Sequence, residues 1–399
     1  MTPSPRAFAV KDAWTKKSRD LSVTLIGTLP PTRGLSPYTS HLLAALDSLP
    51  DIEIEFIGFR SLYPRRLYPG GDPVDPTAHA PDFPRVRIRN LLAWYNPFSW
   101  VWAGLTCRGR IVHAQWWSYI LAPVYVVVLA LARLRRRRIV MTLHNVTPHE
   151  TSRWRRLMNR LVLWLPHHLI VHSEQNKELL VSSLKCDPRR VSVVPHGTLS
   201  VPSTGLTRAQ ARAKLGLAEG CRAVLFFGHI RPYKGLDVLL RAFRLVSGVV
   251  EDAVLIMAGM PWADSEPPGR LIRDLGLEAR VLTSFRFIPE GEVEAFFAAS
   301  DVVVLPYTRF DAQSGAGTLA LSFGKPLVVT AVGGLPELAG DARAVVPPND
   351  PEALAQAIRA VLEDAELRAR LQEESRKRAR LFGWDNVAVK TREVYAALA

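Results

Sequence analysis

The sequence is poor in cysteine and methionine, with 3 Cys and 5 Met in 399 residues. Cys107, Cys186 and Cys221 are scattered and no C-x-x-C pair occurs, which excludes a disulfide framework and leaves no thiolate zinc signature. A reducing, cytoplasmic setting is expected. No apolar run approaches the roughly 20 residues of a spanning helix, and the opening twenty residues are polar and basic, without the apolar stretch of a secretory signal. That segment, residues 1–20, reads as a disordered tail. Internal repeats and heptads are absent. So is any D-x-D triplet.

What is present is a soluble composition, 48% hydrophobic and 22% charged, in a chain long enough for two domains with separate cores. Charge is uneven: residues 1–195 carry 27 Lys and Arg against 13 Asp and Glu, whereas residues 196–399 carry 24 of each. The net charge of +14 therefore belongs to the first half. Nucleic acid is one candidate partner for such charge. However, no helix-turn-helix, zinc or RNP pattern accompanies it, and a salt-dependent shift of random duplex would be the test. The densest basic feature is the apolar stretch Ile120–Ala132 followed by Arg133, Arg135, Arg136, Arg137 and Arg138. It reads either as a core helix with a solvated basic end or as a helix whose arginines rest on an anionic membrane surface.

Apolar runs at 21–26, 52–59, 111–114, 139–143, 169–172 and 191–194 alternate with helical stretches such as 38–49 and 154–164. A second series follows at 223–227, 253–258, 281–285, 302–305, 327–330 and 344–346, after a linker over 195–220. This alternation predicts an α/β chain with two parallel, doubly wound sheets and ligands at the carboxyl ends of the strands. The expected division is a tail at 1–20, domains at 21–197 and 198–384, and a final helix at 385–399 that returns to the first domain.

Several strand ends carry residues that packing does not require. Gly34 lies in the turn after the first strand, before a helix whose N-terminus offers free N–H groups to an anion. Gly228-His229-Ile230-Arg231-Pro232-Tyr233-Lys234-Gly235 follows the first strand of the second series. Its cations form a candidate diphosphate clamp. After 302–305 comes Phe310-Asp311-Ala312-Gln313-Ser314-Gly315-Ala316-Gly317, whose small residues permit close backbone approach by a ligand. His144 ends the 139–143 run. His113, His149, His167, His168 and His172 are expected to be structural.

The segments "VTLIGTLPPTRGLSPYTSHLLAAL", "TLHNVTPHE", "VHSEQNKELL", "VVPHG", "FFGHIRPYKGLDVLLRAF" and "VLPYTRFDAQSGAGTLALSFGKPLVVTAVGGLPE" occur in the order found in retaining GT-B glycosyltransferases, and the chain resembles the glycosyl transferase group 1, or family 4, enzymes. The resemblance implies two Rossmann-like domains facing a cleft, the second holding a nucleotide-diphosphate sugar and the first an acceptor such as a lipid-linked saccharide or other glycan precursor. It also implies transfer with retention, no metal and no cofactor beyond the donor itself. By position, Lys234 and Gly34 match the diphosphate contacts, with Gly228, His229, Arg231, Gln313, Ser314 and Gly315 completing the expected donor site. His144 and Asp311 are the expected catalytic positions. Two departures stand out: His229 occupies a place where the family commonly has arginine, and the family's paired glutamates fall on Asp311 and Leu319. A nucleotide-sugar epimerase shares the architecture, and a silent partner subunit is a further alternative given Leu319. Turnover without any acceptor would indicate the former.

Overall fold

The computed structural model describes residues 21–399 except 33, 63–73, 75–77, 79, 145–157, 159–160, 199–203, 262–267 and 310–313. The first half contributes β1 (Leu21–Gly27), β2 (Ile52–Ser61), β3 (Arg87–Ala93), β4 (Ile111–Trp116), β5 (Arg138–Leu143), β6 (His168–Val171) and β7 (Val191–Val193). They form one sheet in the order β3-β2-β1-β4-β5-β6-β7, every pair parallel. The second sheet holds β8 (Arg222–Phe227), β9 (Ala253–Ala258), β10 (Val281–Ser284), β11 (Val302–Leu305), β12 (Leu327–Thr330) and β13 (Val345–Val346). Its order is β10-β9-β8-β11-β12-β13, again wholly parallel.

Central strands are covered by helices on both faces, which explains why their sequences are nearly unbroken Val, Ile and Leu. In β11 all four residues are buried. β3 is different: it pairs only with β2, and exposed Arg87 interrupts its apolar pattern.

The order reverses between β1 and β4 in the first sheet and between β8 and β11 in the second. At such a reversal the following helices diverge to opposite faces and leave a crevice at the carboxyl ends of the strands. The turns after β1, β8 and β11 carry Gly34, the Gly228–Lys234 stretch and the Ser314–Gly315 stretch, so the candidate residues flank the reversals.

The helix Ala122–Leu134 is predominantly a core element, with Val124, Tyr125, Val128, Leu129 and Ala132 buried. Its basic end is partly engaged, Arg133 donating to the Leu165 carbonyl at 2.6 Å and Arg135 to the Cys107 carbonyl at 3.0 Å. The final helix, Trp384–Ala396, inserts Val387, Ala388, Val394 and Tyr395 among Leu25, Leu42 and Ile54 of the first half. Arg392 donates to Asp51 at 2.7 Å beside that contact.

Candidate functional site

β8 delivers the chain to Gly228, and a short 3-10 turn, Pro232–Lys234, then leads into the helix Leu236–Ser247. Gly235 makes the junction with a left-handed backbone (φ +65°), and a Cβ there would stand 2.0 Å from the Pro306 carbonyl oxygen. No other residue type fits without moving the loop after β11. Thr308 N–H donates to the Tyr233 carbonyl at 2.8 Å and ties the two loops together.

This junction aims Lys234 across the sheet reversal. Its Nζ donates to the Tyr307 hydroxyl at 2.7 Å, and that hydroxyl lies 2.9 Å from Ser314 Oγ. An ammonium can only donate, so the Tyr307 hydroxyl accepts from Lys234 while it shares a second hydrogen bond with Ser314. Ser314 in turn caps the helix Gly315–Ser322 by accepting from Gly317 N–H. One cation, one phenol and one helix N-terminus are thereby linked at the carboxyl ends of β8 and β11. Lys234 is half-buried, and burial lowers its ammonium to about 8. Such a group is poised to recover stabilisation from an anion that enters beside it.

Gly228 adopts φ +121°, and a Cβ there would lie 3.5 Å from Lys234 Nζ and 3.8 Å from Ala316. Added bulk would therefore intrude between the lysine and the helix. His229 is exposed on the rim, its charged form disfavoured by partial burial and by Arg231 and Lys234. Arg231 is half-buried on the same loop. Gly315 is the first residue of the small-residue helix. Leu319 lies on the buried face of that helix, in the second core. Asp311 and Gln313 lie outside the described residues, as does His149.

On the first sheet, Gly34 has a left-handed backbone (φ +83°) in the turn before the helix Ser36–Asp47. The hydroxyls of Thr28 and Ser36 are buried there with no hydrogen-bond partner among the described residues. His144 follows β5, and its Nε2 lies 2.7 Å from Gln115 Oε1. Its Nδ1 is 3.3 Å from Nε2 of His172, whose Nδ1 is 2.9 Å from the Val194 carbonyl. Burial holds all three histidines of this group, His144, His172 and His196, well below the usual imidazole range, His172 to about 3 and His196 to about 4. They are uncharged near neutrality. His113 bonds Tyr395 and Thr142, His167 accepts from Ile139 N–H, and His168 bonds Ser192: these serve the fold.

Tyr307 and His196 escape a reading of the sequence alone, and His172, expected to be structural, is grouped with His144 and His196. Tyr307 looks like the end of an apolar strand, and each histidine stands singly. The available signal was position, since His144, His172 and His196 follow three successive strands.

Residues 207–378, which span the second sheet, match the profile "Glycosyl transferases group 1", and residues 33–198, around the first sheet, match "Glycosyltransferase Family 4". The chain belongs to these glycosyltransferases. It is 33% identical over 243 residues to a D-inositol 3-phosphate glycosyltransferase of Nocardioides sp., a match covering 57% of this chain and 53% of that protein. A protein of the same name from Streptomyces coelicolor is 31% identical over 256 residues, covering 57% and 55%. The chain thus spans about half the length of these curated relatives. Among solved structures, sucrose-phosphate synthase from Thermosynechococcus elongatus superposes with TM-score 0.70 at 20% identity, over 95% of this chain and 99% of that one. HepE from Anabaena, solved with UDP-glucose, gives TM-score 0.68 at 18% identity over 94% and 100%. At these identities the likeness establishes the two-domain GT-B fold.

Proposed function

We propose that the chain transfers a sugar from a nucleotide-diphosphate donor to an acceptor hydroxyl, with retention at the anomeric carbon. The observation that carries this reading is the link from Lys234 through Tyr307 to Ser314 at the reversal of the second sheet. When the bond between the anomeric carbon and the phosphate oxygen breaks, negative charge gathers on the leaving diphosphate. A fixed ammonium and the unpaired N–H groups of a helix start stabilise that charge, and they need no reorganisation as it forms. Lys234 and the helix Gly315–Ser322 are proposed as this device, in place of a divalent ion at the diphosphate. Gly228, His229 and Arg231 line the same loop, and Gln313 and Ser314 add donors from the other. Asp311 is proposed to accept from sugar hydroxyls, and Gly34 to bring the first domain's backbone to the donor. His144 is proposed to sit beside the transferred sugar. The solved neighbour HepE binds UDP-glucose, which makes a uridine donor the first to try.

The acceptor is proposed to be a lipid-linked saccharide or another glycan precursor, met at an anionic membrane surface. The helix Pro97–Thr106 supports this more directly than the Ile120–Ala132 stretch. Phe98, Val101, Trp102 and Leu105, spaced on one helical face, are exposed, Phe98 to 85% and Trp102 to 60%. The opposite face is fixed: a Cβ on Gly104 would come within 2.9 Å of Leu131 and the Val128 carbonyl. Arg135 donates to the Cys107 carbonyl at the C-terminal end of this helix, so a cation stands at one end of the element that carries the apolar face, a combination that suits an anionic interface. Among the described residues no helix is long and apolar enough to cross a membrane. The reading is tested by incubating the chain with UDP-glucose and other nucleotide sugars plus lipid extract, and following nucleoside diphosphate release and product configuration. Release that is independent of acceptor, or none with any donor, would defeat it.

A further inference from the structure

The geometry points to a transition-metal site, with zinc as its natural occupant, formed by His144, His172 and His196 at the carboxyl ends of β5, β6 and β7. One ligand nitrogen from each ring lies within 4.8 Å of the others. Around a tetrahedral zinc with bonds of 2.0–2.1 Å, neighbouring nitrogens stand about 3.3 Å apart and imidazole centres about 5 Å apart. Here His144 Nδ1 and His172 Nε2 are 3.3 Å apart, and ring centres are 4.9 Å (His144–His172), 5.0 Å (His172–His196) and 5.9 Å (His144–His196). The His144–His196 pair is the widest of the three, so closing the shell brings these two rings nearer each other.

The far side of each ring is oriented as metal ligands require. His172 Nδ1 faces the Val194 carbonyl at 2.9 Å. A carbonyl only accepts, so that nitrogen carries the proton and Nε2 presents its lone pair. His144 Nε2 faces Gln115 Oε1 at 2.7 Å, and a ring nitrogen of His196 is held by the Gly197 backbone. A carbonyl behind each histidine fixes tautomer and ring plane and raises ligand basicity. With Gln115 presenting its oxygen, the facing nitrogens of His144 and His172 are both lone pairs, and a cation between them removes the repulsion. Tyr38 covers the group from the helix Ser36–Asp47, its ring centre 4.6, 5.5 and 4.8 Å from those of His144, His172 and His196. An all-nitrogen, three-histidine shell walled by an aromatic ring suits zinc rather than calcium or magnesium, which take oxygen ligands.

The inference does not rest on the Lys234–Tyr307–Ser314 link of the second sheet, and it shares His144 with the donor reading. Metal at His144 Nδ1 would make this histidine an organiser of the acceptor side rather than a proton carrier. The test uses the full chain without an affinity tag, stripped with a chelator and dialysed. Cobalt chloride is then titrated while the visible spectrum is followed, and zinc content after reconstitution is measured by mass spectrometry. One equivalent per chain, with the intense bands of tetrahedral cobalt, is expected. His196→Ala should lose that stoichiometric binding, and Gln115→Leu, which removes only the carbonyl behind His144, should weaken it by about 10- to 100-fold. Circular dichroism reports folding of each variant. Wild-type chain that takes up no stoichiometric cobalt or zinc, or a folded His196→Ala that binds as the wild type does, overturns the assignment.

Discussion

Lys234 donates to the hydroxyl of Tyr307 at 2.7 Å, joining the loop after β8 to the loop after β11. The two residues are separated by 73 positions in the chain, and their contact fixes where the ammonium stands relative to the helix Gly315–Ser322. Tyr307→Phe removes the acceptor for Lys234 and the hydroxyl partner of Ser314 while keeping the buried ring. Donor kcat/KM should fall by about 1–2 kcal/mol, roughly 5- to 30-fold, with the fold retained. Steady-state kinetics with varied donor, alongside a melting curve, check this. Equal kinetics would detach Tyr307 from donor binding.

Donor affinity should depend on pH through Lys234. Its ammonium is held at about 8 by burial, so the free protein carries the charged form below that pH and loses it above. Binding of an anionic diphosphate favours the charged form, so affinity should be level toward pH 7 and decline above about pH 8, with proton uptake on binding in that range. Calorimetric titrations in buffers of different ionisation enthalpy measure the uptake. Lys234→Ala should abolish both the decline and the uptake.

Gly235→Ala tests the junction rather than the chemistry. The left-handed backbone and the approach to the Pro306 carbonyl together should cost about 2–4 kcal/mol. The loss is expected as a lower melting temperature in calorimetry. An unchanged melting temperature would mean that the loop after β11 shifts freely.

The membrane reading makes a separable prediction. Phe98→Ser with Trp102→Ser should release the chain from vesicles of anionic lipid, and Gln at Arg135, Arg136, Arg137 and Arg138 should weaken binding most at low salt. Phe98 and Trp102 are exposed, so the serine variant should melt as the wild type does, whereas the glutamine variant also loses the Arg135 bond to the Cys107 carbonyl and is checked by its melting curve. Wild-type chain that fails to sediment with such vesicles at low salt would leave the exposed aromatic face unexplained by lipid.

The strands of the second half were legible as continuous apolar runs because parallel strands are buried on both faces. β3 was not, since an edge strand tolerates exposed Arg87 and partly exposed Arg89, the latter paired with Glu55 at 2.9 Å. The helix Pro97–Thr106 shows the limit of periodicity. Its apolar spacing says that one face is apolar, but the face that meets the core is set by Ala103 and Gly104, which are small enough to approach the helix Ala122–Leu134. Lys234 was legible from its place in a quoted motif. Its partner Tyr307 and the histidine group were not, because those contacts join residues from different strand ends, 28 positions apart for His144 and His172.

The central claim is that Lys234 holds the diphosphate of a nucleotide donor, and calorimetric titration of UDP, GDP and ADP into wild type and Lys234→Ala tests it most directly. At least one nucleotide should bind the wild type and bind the variant roughly 10- to 150-fold more weakly, the equivalent of a charge-assisted hydrogen bond of about 1.5–3 kcal/mol. Equal affinity in the two proteins, or no binding of any nucleoside diphosphate to the wild type, would contradict the account.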